Sequence, residues 1–252
     1  MLGKILEYLK NTRLSKTNYK GEPVITGGGL FFICGSIVIW VLYQLNRIGD
    51  QVILQQLIFL VSIIGAVGYI DDLAGGKEYQ GFKGHLKSVL EGQLTTGLLK
   101  ALISLVAVFL VINIEKINIY HKITNLLVIL LMTNLINLFD LRPGRALKFF
   151  LILSVPLFVQ GNFFLYLLPV FLIMTVYLSL ELQGKVMLGD TGSNTLGAIL
   201  GIGYIKTFSI INKIFLLVFL LFLNIAAERI SFSGVIQKNR YLRWFDHLGR
   251  KD

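Results

Sequence analysis

The chain has 252 residues, of which 55% are hydrophobic, and a mean hydropathy of +0.72. That is too apolar for a soluble domain of this length and typical of a multispanning membrane protein built as one integral domain. A formal net charge of +10 would suggest nucleic acid on a soluble protein, but here its distribution decides the partner. The single cysteine, Cys34, lies in an apolar run, so no disulfide can form within the chain.

In chain order, Met1 to Lys10 is too short and too charged for a secretory signal, and it reads as the start of a lead-in over residues 1–29. Apolar runs of roughly 15 to 20 residues then predict about eight transmembrane helices in an all-α bundle. They fall near Leu30–Asn46, Gln51–Ile70, Leu94–Ile112, Ile123–Phe139, Leu147–Gln160, Phe163–Leu180, Ser193–Ile205 and Ile214–Ala227. The seventh is glycine-rich, and its Gly197-Ala-Ile-Leu-Gly201 spacing suits a short buried helix that another helix approaches closely. A basic tail over residues 228–252 follows.

Orientation comes from scoring the loops in alternation. Apart from Arg47, Lys116, Lys122, Lys206 and Lys213, and Lys100 inside a span, every lysine and arginine falls on one side. By the positive-inside rule that side is cytoplasmic and carries both termini, so the net charge faces anionic headgroups and no nucleic acid is implied.

The same scoring gathers Asp71, Asp72, Asp140 and Asp190 on the basic side, each where an apolar run breaks. Carboxylates are costly near hydrocarbon, so four at one boundary read as a functional site. An ordinary soluble loop accounts for Asp246 and Asp252. In Gly68-Tyr-Ile-Asp-Asp-Leu73 the adjacent acids repel unless a cation is close, which points to Mg²⁺ and phosphate chemistry. Asn134, Asn137 and Asp140 are spaced by three, placing them on one helical face, although the asparagines also suit helix–helix hydrogen bonding. Gly189-Asp190-Thr-Gly-Ser193 reads as a turn entering a helix, whose backbone N–H groups could hold a phosphate oxygen; Thr191 and Ser193 could equally cap that helix.

Together these segments, in this order, resemble the polyprenyl-phosphate N-acetylhexosamine-1-phosphate transferases, from about Thr17 to about Ala227. Lys20-Gly-Glu-Pro-Val-Ile-Thr-Gly-Gly-Gly29 looks like that family's lead-in. The resemblance implies that a polyprenyl phosphate attacks the β-phosphorus of a UDP-N-acetylhexosamine, giving a polyprenyl-diphospho-sugar and UMP for a cell-envelope polymer. It implies Mg²⁺, with Mn²⁺ as the alternative, in a plasma-membrane enzyme whose site faces the cytoplasm, and it leaves a homodimer open. Asp190, Asp71 and Asp72 match the catalytic and metal-binding positions. Asn137 and Asp140 match substrate-binding ones, and Lys87, Lys20, Arg142 and Arg145 are added as candidate phosphate partners.

Three departures qualify the match. Pro143 stands where the family often has a second aspartate, with Arg142 and Arg145 beside it. The tail from Ile230 to His247 has basic and aromatic residues in place of a histidine cluster, and could lie along the headgroup interface. The chain also lacks a span at each end relative to a ten-span plan. An inactive lipid-binding scaffold of the same fold is therefore the second reading and a transporter the third, the latter disfavoured by carboxylates at span ends and by the lack of an inverted repeat.

Overall fold

The computed structural model describes residues 15–17, 21, 23–74, 95–161 and 163–250. Among the described residues, eight long helices follow a short β-pair: α1 Gly29–Leu45, α2 Gln51–Ala74, α3 Thr96–Asn113, α4 Ile119–Phe139, α5 Arg145–Val159, α6 Phe164–Leu182, α7 Gly189–Thr207 and α8 Ile210–Ala227. Two short ones, α9 Phe232–Lys238 and α10 Arg240–His247, form the tail. Polar residues set several of the helix starts. Asp50 accepts from the Val52 and Ile53 amides ahead of α2, and Thr95 from the Leu98 amide at α3. Ser209 does the same for Asn212 at α8. Gly144, at φ +76°, makes the left-handed entry into α5 that a side chain would resist.

All eight expected runs form helices, but their ends move. α2 continues through Asp71 and Asp72 to Ala74, and α7 begins at Gly189, so three of the four aspartates lie within helical turns and not in loops. Five of the helices, α2, α3, α4, α6 and α8, are long and apolar enough to cross a membrane; α1 is a shorter apolar helix. The protein is thus a helical membrane bundle.

Its axis is α7. Every residue from Thr191 to Ile205 is buried, against α2 and α4 above all. A Cβ on Gly197 would stand 2.5 Å from Thr133 Cα, and one on Gly201 2.8 Å from Ile129 Cα. Small residues let the two backbones touch, and close contact has to supply what a hydrophobic effect supplies in water. α8, by contrast, fully buries only Lys213 and Leu220; about half of its residues are exposed and mostly apolar, while Leu216, Leu217 and Leu223 pack against the core.

Two connections fix the ends of the bundle. β1 (Ser15–Thr17) pairs antiparallel with β2 (Pro23–Ile25), and Ile25 bridges in parallel to Val186. The Met187 amide donates to Ile25 O, and the Gly28 and Gly29 amides donate to Met187 O and Leu188 O. The lead-in therefore holds the segment that enters α7. At the opposite end, the Tyr166 hydroxyl accepts from the Asp50 amide and Trp40 Nε1 donates to Tyr166 O. There Lys206 pairs with Glu115, which also takes Gln56.

Candidate active site

The end of the bundle where α2 finishes and α3 and α7 begin collects the charges. Asp71 is in the last turns of α2, Lys100 in the first turns of α3, and Asp190 in the first turn of α7. Lys100 Nζ lies 2.7 Å from Asp71 Oδ2 and 3.1 Å from Asp190 Oδ1, so one ammonium is shared between two carboxylates from different helices. All three side chains are mostly shielded yet reach solvent. Shielding strengthens such contacts, because the effective dielectric there is well below that of water.

Asp72 faces elsewhere. Its Oδ1 accepts from the Asp190 amide at 3.0 Å, and its Oδ2 accepts from the Thr191 amide at 2.9 Å and the Thr191 hydroxyl at 2.6 Å. At 2% exposure it is the internal anion that the α7 N-terminus binds. This corrects the expectation that those backbone N–H groups are offered to a phosphate: a carboxylate of the protein already uses them. It also explains Gly189, which has φ +67° and whose Cβ would fall 2.5 Å from Asp72 Oδ2. Thr191 contributes to this contact, and Thr195 and Asn194 donate back to Thr191 O and Asp190 O one turn earlier.

α4 closes the site from the far side. Ser193 Oγ lies 2.8 Å from both Asn137 Oδ1 and Gly189 O, with one proton to give between them. Asp140 caps the C-terminus of α4, and one of its carboxylate oxygens is buried without a hydrogen-bond partner. Burial first, then the neighbouring Glu181, Asp190 and Asp72 carboxylates, push Asp140 well above the usual carboxylate range. It therefore favours the protonated form, in which it can donate a hydrogen bond. Asn134 does not share this face. Its Nδ2 donates to Asn224 Oδ1 at 2.7 Å, stitching α4 to α8.

The arginines divide from the site as well. Arg145 is 2% exposed and forks onto Asp246 of α10, Nε to Oδ1 at 2.7 Å and Nη2 to Oδ2 at 3.0 Å, while Nη1 donates to Ser233 Oγ. Arg142 comes no nearer than 4.0 Å to the same carboxylate. Lys148 Nζ donates to the Phe245 and Asp246 carbonyls, and Arg250 to Pro143 O. Asp246 is consequently a buried anchor, 3% exposed, and not the loop carboxylate that the sequence suggested. Arg145 acts on the tail and presents nothing to a ligand. Lys20 and Lys87 lie outside the described residues.

Among the described residues no three His, Cys, Asp or Glu side chains form a group that could hold a metal by themselves. Asp71 and Asp190 do converge on one positive charge. Two carboxylates completed by substrate phosphates and water are a donor set that suits Mg²⁺, which seldom uses an all-protein cage. The residues present therefore fit a divalent cation brought in with a phosphorylated substrate.

The sequence pattern of glycosyl transferase family 4 matches residues 54–208, well over half of the chain. The chain belongs to glycosyl transferase family 4. No curated protein and no solved structure matches it. Family 4 comprises polyprenyl-phosphate sugar-1-phosphate transferases, so this is a transferase that acts between a sugar phosphate and a lipid carrier. The family 4 match encloses Asp71, Asp72, Lys100, Asn137, Asp140 and Asp190, and ends before α8 and the tail.

Proposed function

We propose that the protein transfers the sugar-1-phosphate of a UDP-N-acetylhexosamine to undecaprenyl phosphate, releasing UMP, at the cytoplasmic face of the plasma membrane and in the service of a cell-envelope polymer. The observation that carries the proposal is the Asp71–Lys100–Asp190 arrangement at one end of a membrane bundle in a family 4 chain. About eight spans with both termini on the basic side remain the topology that suits this arrangement. Arg47 and Lys116, between helices, and Lys206, in the last turn of α7, all belong to the opposite end.

In this reaction an oxygen of the lipid phosphate bonds to the β-phosphorus, and the bond from that phosphorus to the bridging oxygen breaks, leaving UMP with the electron pair. A phosphate monoester has a second pKa near ~6, so at neutral pH the lipid phosphate is mostly dianionic and needs no strong base. Position and charge balance must supply most of the rate. A divalent cation held by Asp190 and Asp71 would neutralise the diphosphate when bound. Lys100 stands at the same point and balances charge as the substrates arrive. Asp72 keeps the α7 N-terminus, and with it Asp190, in register. Asn137 and Asp140 are hydrogen-bonding groups for the nucleotide or diphosphate.

The test uses detergent-solubilised protein with Mg²⁺, undecaprenyl phosphate and a panel of UDP-sugars, measuring UMP release. Turnover with a UDP-N-acetylhexosamine is expected, abolished by Asp190→Asn and by Asp71→Asn with the fold retained. Full activity in either variant would overturn these roles. Absence of turnover with every UDP-sugar, with lipid binding retained, would favour the inactive scaffold.

A further inference from the structure

The tail helix α10 has two faces of opposite character. Its inner side is bolted to the bundle by the Asp246 carboxylate on Arg145 and by the Phe245 and Asp246 carbonyls on Lys148. With three charged groups fixed, the helix cannot roll about its own axis. That leaves Tyr241 82% and Trp244 66% exposed beside Arg240 and Arg243, which are also exposed. Arg240, Arg243, Trp244 and His247 follow the i, i+3, i+4, i+7 pattern of one helical face, and line an open concavity. Asp246 is the only carboxylate between residues 229 and 250, and it is turned inward, so within this stretch no acidic group offsets the outer face.

The height of this face in the bundle can be measured along α5. Lys148, which holds α10, is followed one turn later by Leu151 and Ile152, the first large apolar residues of α5 that are exposed. One turn is ~5 Å, close to the depth of one headgroup layer, about 5 to 7 Å, between hydrocarbon and water. Amphipathic aromatic rings next to arginines are the side chains that partition to that layer.

We propose that the outer face of α10 docks on the bilayer surface and binds the phosphate groups of anionic lipid headgroups through Arg240 and Arg243, with Tyr241 and Trp244 seated among the headgroups. Each arginine near an anionic surface favours binding, and salt weakens the attraction. The proposal does not depend on the transfer reaction.

Trp244 supplies the measurement, because Trp40, the other tryptophan of the chain, is fully buried. The full chain is reconstituted into neutral phosphatidylcholine bilayers, or into bilayers containing phosphatidylglycerol, with lipids brominated near the headgroup. The Trp244 signal is the difference between wild type and Trp244→Phe. Expected is at least twofold quenching of Trp244 in the anionic bilayers. It should be reduced by half or more in Arg240→Glu/Arg243→Glu, and reduced also by high salt. Trp244 left unquenched by lipid and open to iodide in anionic bilayers would overturn the proposal. Equal quenching in neutral bilayers and after charge reversal would overturn the anionic headgroup as the ligand. Shielding of Trp244 that rises with protein density in the bilayer, or appears only with a soluble nucleotide, would assign the face to a second copy or a nucleotide instead.

Discussion

Replacing Asp72 with asparagine separates a positioning carboxylate from a catalytic one. The carboxylate accepts three hydrogen bonds at the buried start of α7. An asparagine has one oxygen. If that oxygen serves Thr191, its amide nitrogen faces the Asp190 amide, donor against donor, across a gap now spanned by a 3.0 Å bond. Losing a hydrogen bond to a charged acceptor costs about 1.5–3 kcal/mol, and losing an anion at a partly buried helix N-terminus costs up to ~2 more. The sum is about 2–5 kcal/mol. At roughly 2–4 °C per kcal/mol for a chain of this size, the melting temperature should fall by about 10 °C. Because Asp190 rides on the displaced turn, kcat should fall about 100-fold, the effect of an ångström of misplacement. Thermal unfolding in detergent, read beside UMP release, measures both. Asp71→Asn should lose activity with little change in melting temperature. An Asp72→Asn protein as heat-stable as wild type but inactive would refute the reasoning and place Asp72 on the substrate or metal.

Other outcomes follow from the same geometry. Lys100→Met should lower kcat about 100-fold, some 2.7 kcal/mol of barrier, and also lower the Mg²⁺ concentration needed for half-maximal rate, because the ammonium no longer competes at the two carboxylates; a raised Mg²⁺ requirement would count against that position. Gly197→Ala should destabilise the bundle by about 1–3 kcal/mol, read as a lower melting temperature, since the added carbon meets the α4 backbone and not a side chain that can swing aside. Burial alone would raise Asp246, but the Arg145 contact and then Arg250 outweigh it and hold the carboxyl below the usual range. A depressed carboxyl adds stability above its unfolded pKa of ~3.9 and loses it as pH falls through the folded value. Acidification below about pH 4 should therefore release α10, seen in Trp244 fluorescence, whereas Asp246→Asn should show the released signal already at neutral pH.

The helices were legible because charged and polar residues interrupt the apolar runs, and membrane spans need length more than pattern. The acid cluster was legible for a similar reason, the cost of carboxylates near hydrocarbon. The partition between Asp71 and Asp72 was not. Neighbours on a helix point about 100° apart, so one side chain reaches Lys100 and the other reaches α7, a distinction that needs the helix to continue past both. Lys100 was counted as a lysine within a span; its cost there was the signal that marked it as functional, and its partners are 29 and 90 positions away in the chain. Arg145 and Asp246 are 101 residues apart, and nothing local distinguishes a phosphate-binding arginine from one sealed onto a tail.

Lys100 also has a consequence for how the chain is made. Asp71 and Asp72 leave the ribosome well over a hundred residues before Asp190 and Thr191. A helix inserting with two bare carboxylates at its end would be drawn back toward water. Lys100 emerges 29 residues after Asp71, on α3, and can neutralise Asp71 while α7 is still unmade. Asp72 must wait for the α7 N-terminus. The early pair of α2 and α3 is thus half satisfied at birth, and the late arrival of α7 completes the electrostatics and the reactive centre in one event, so a bundle that stalls before α7 has no premature active site.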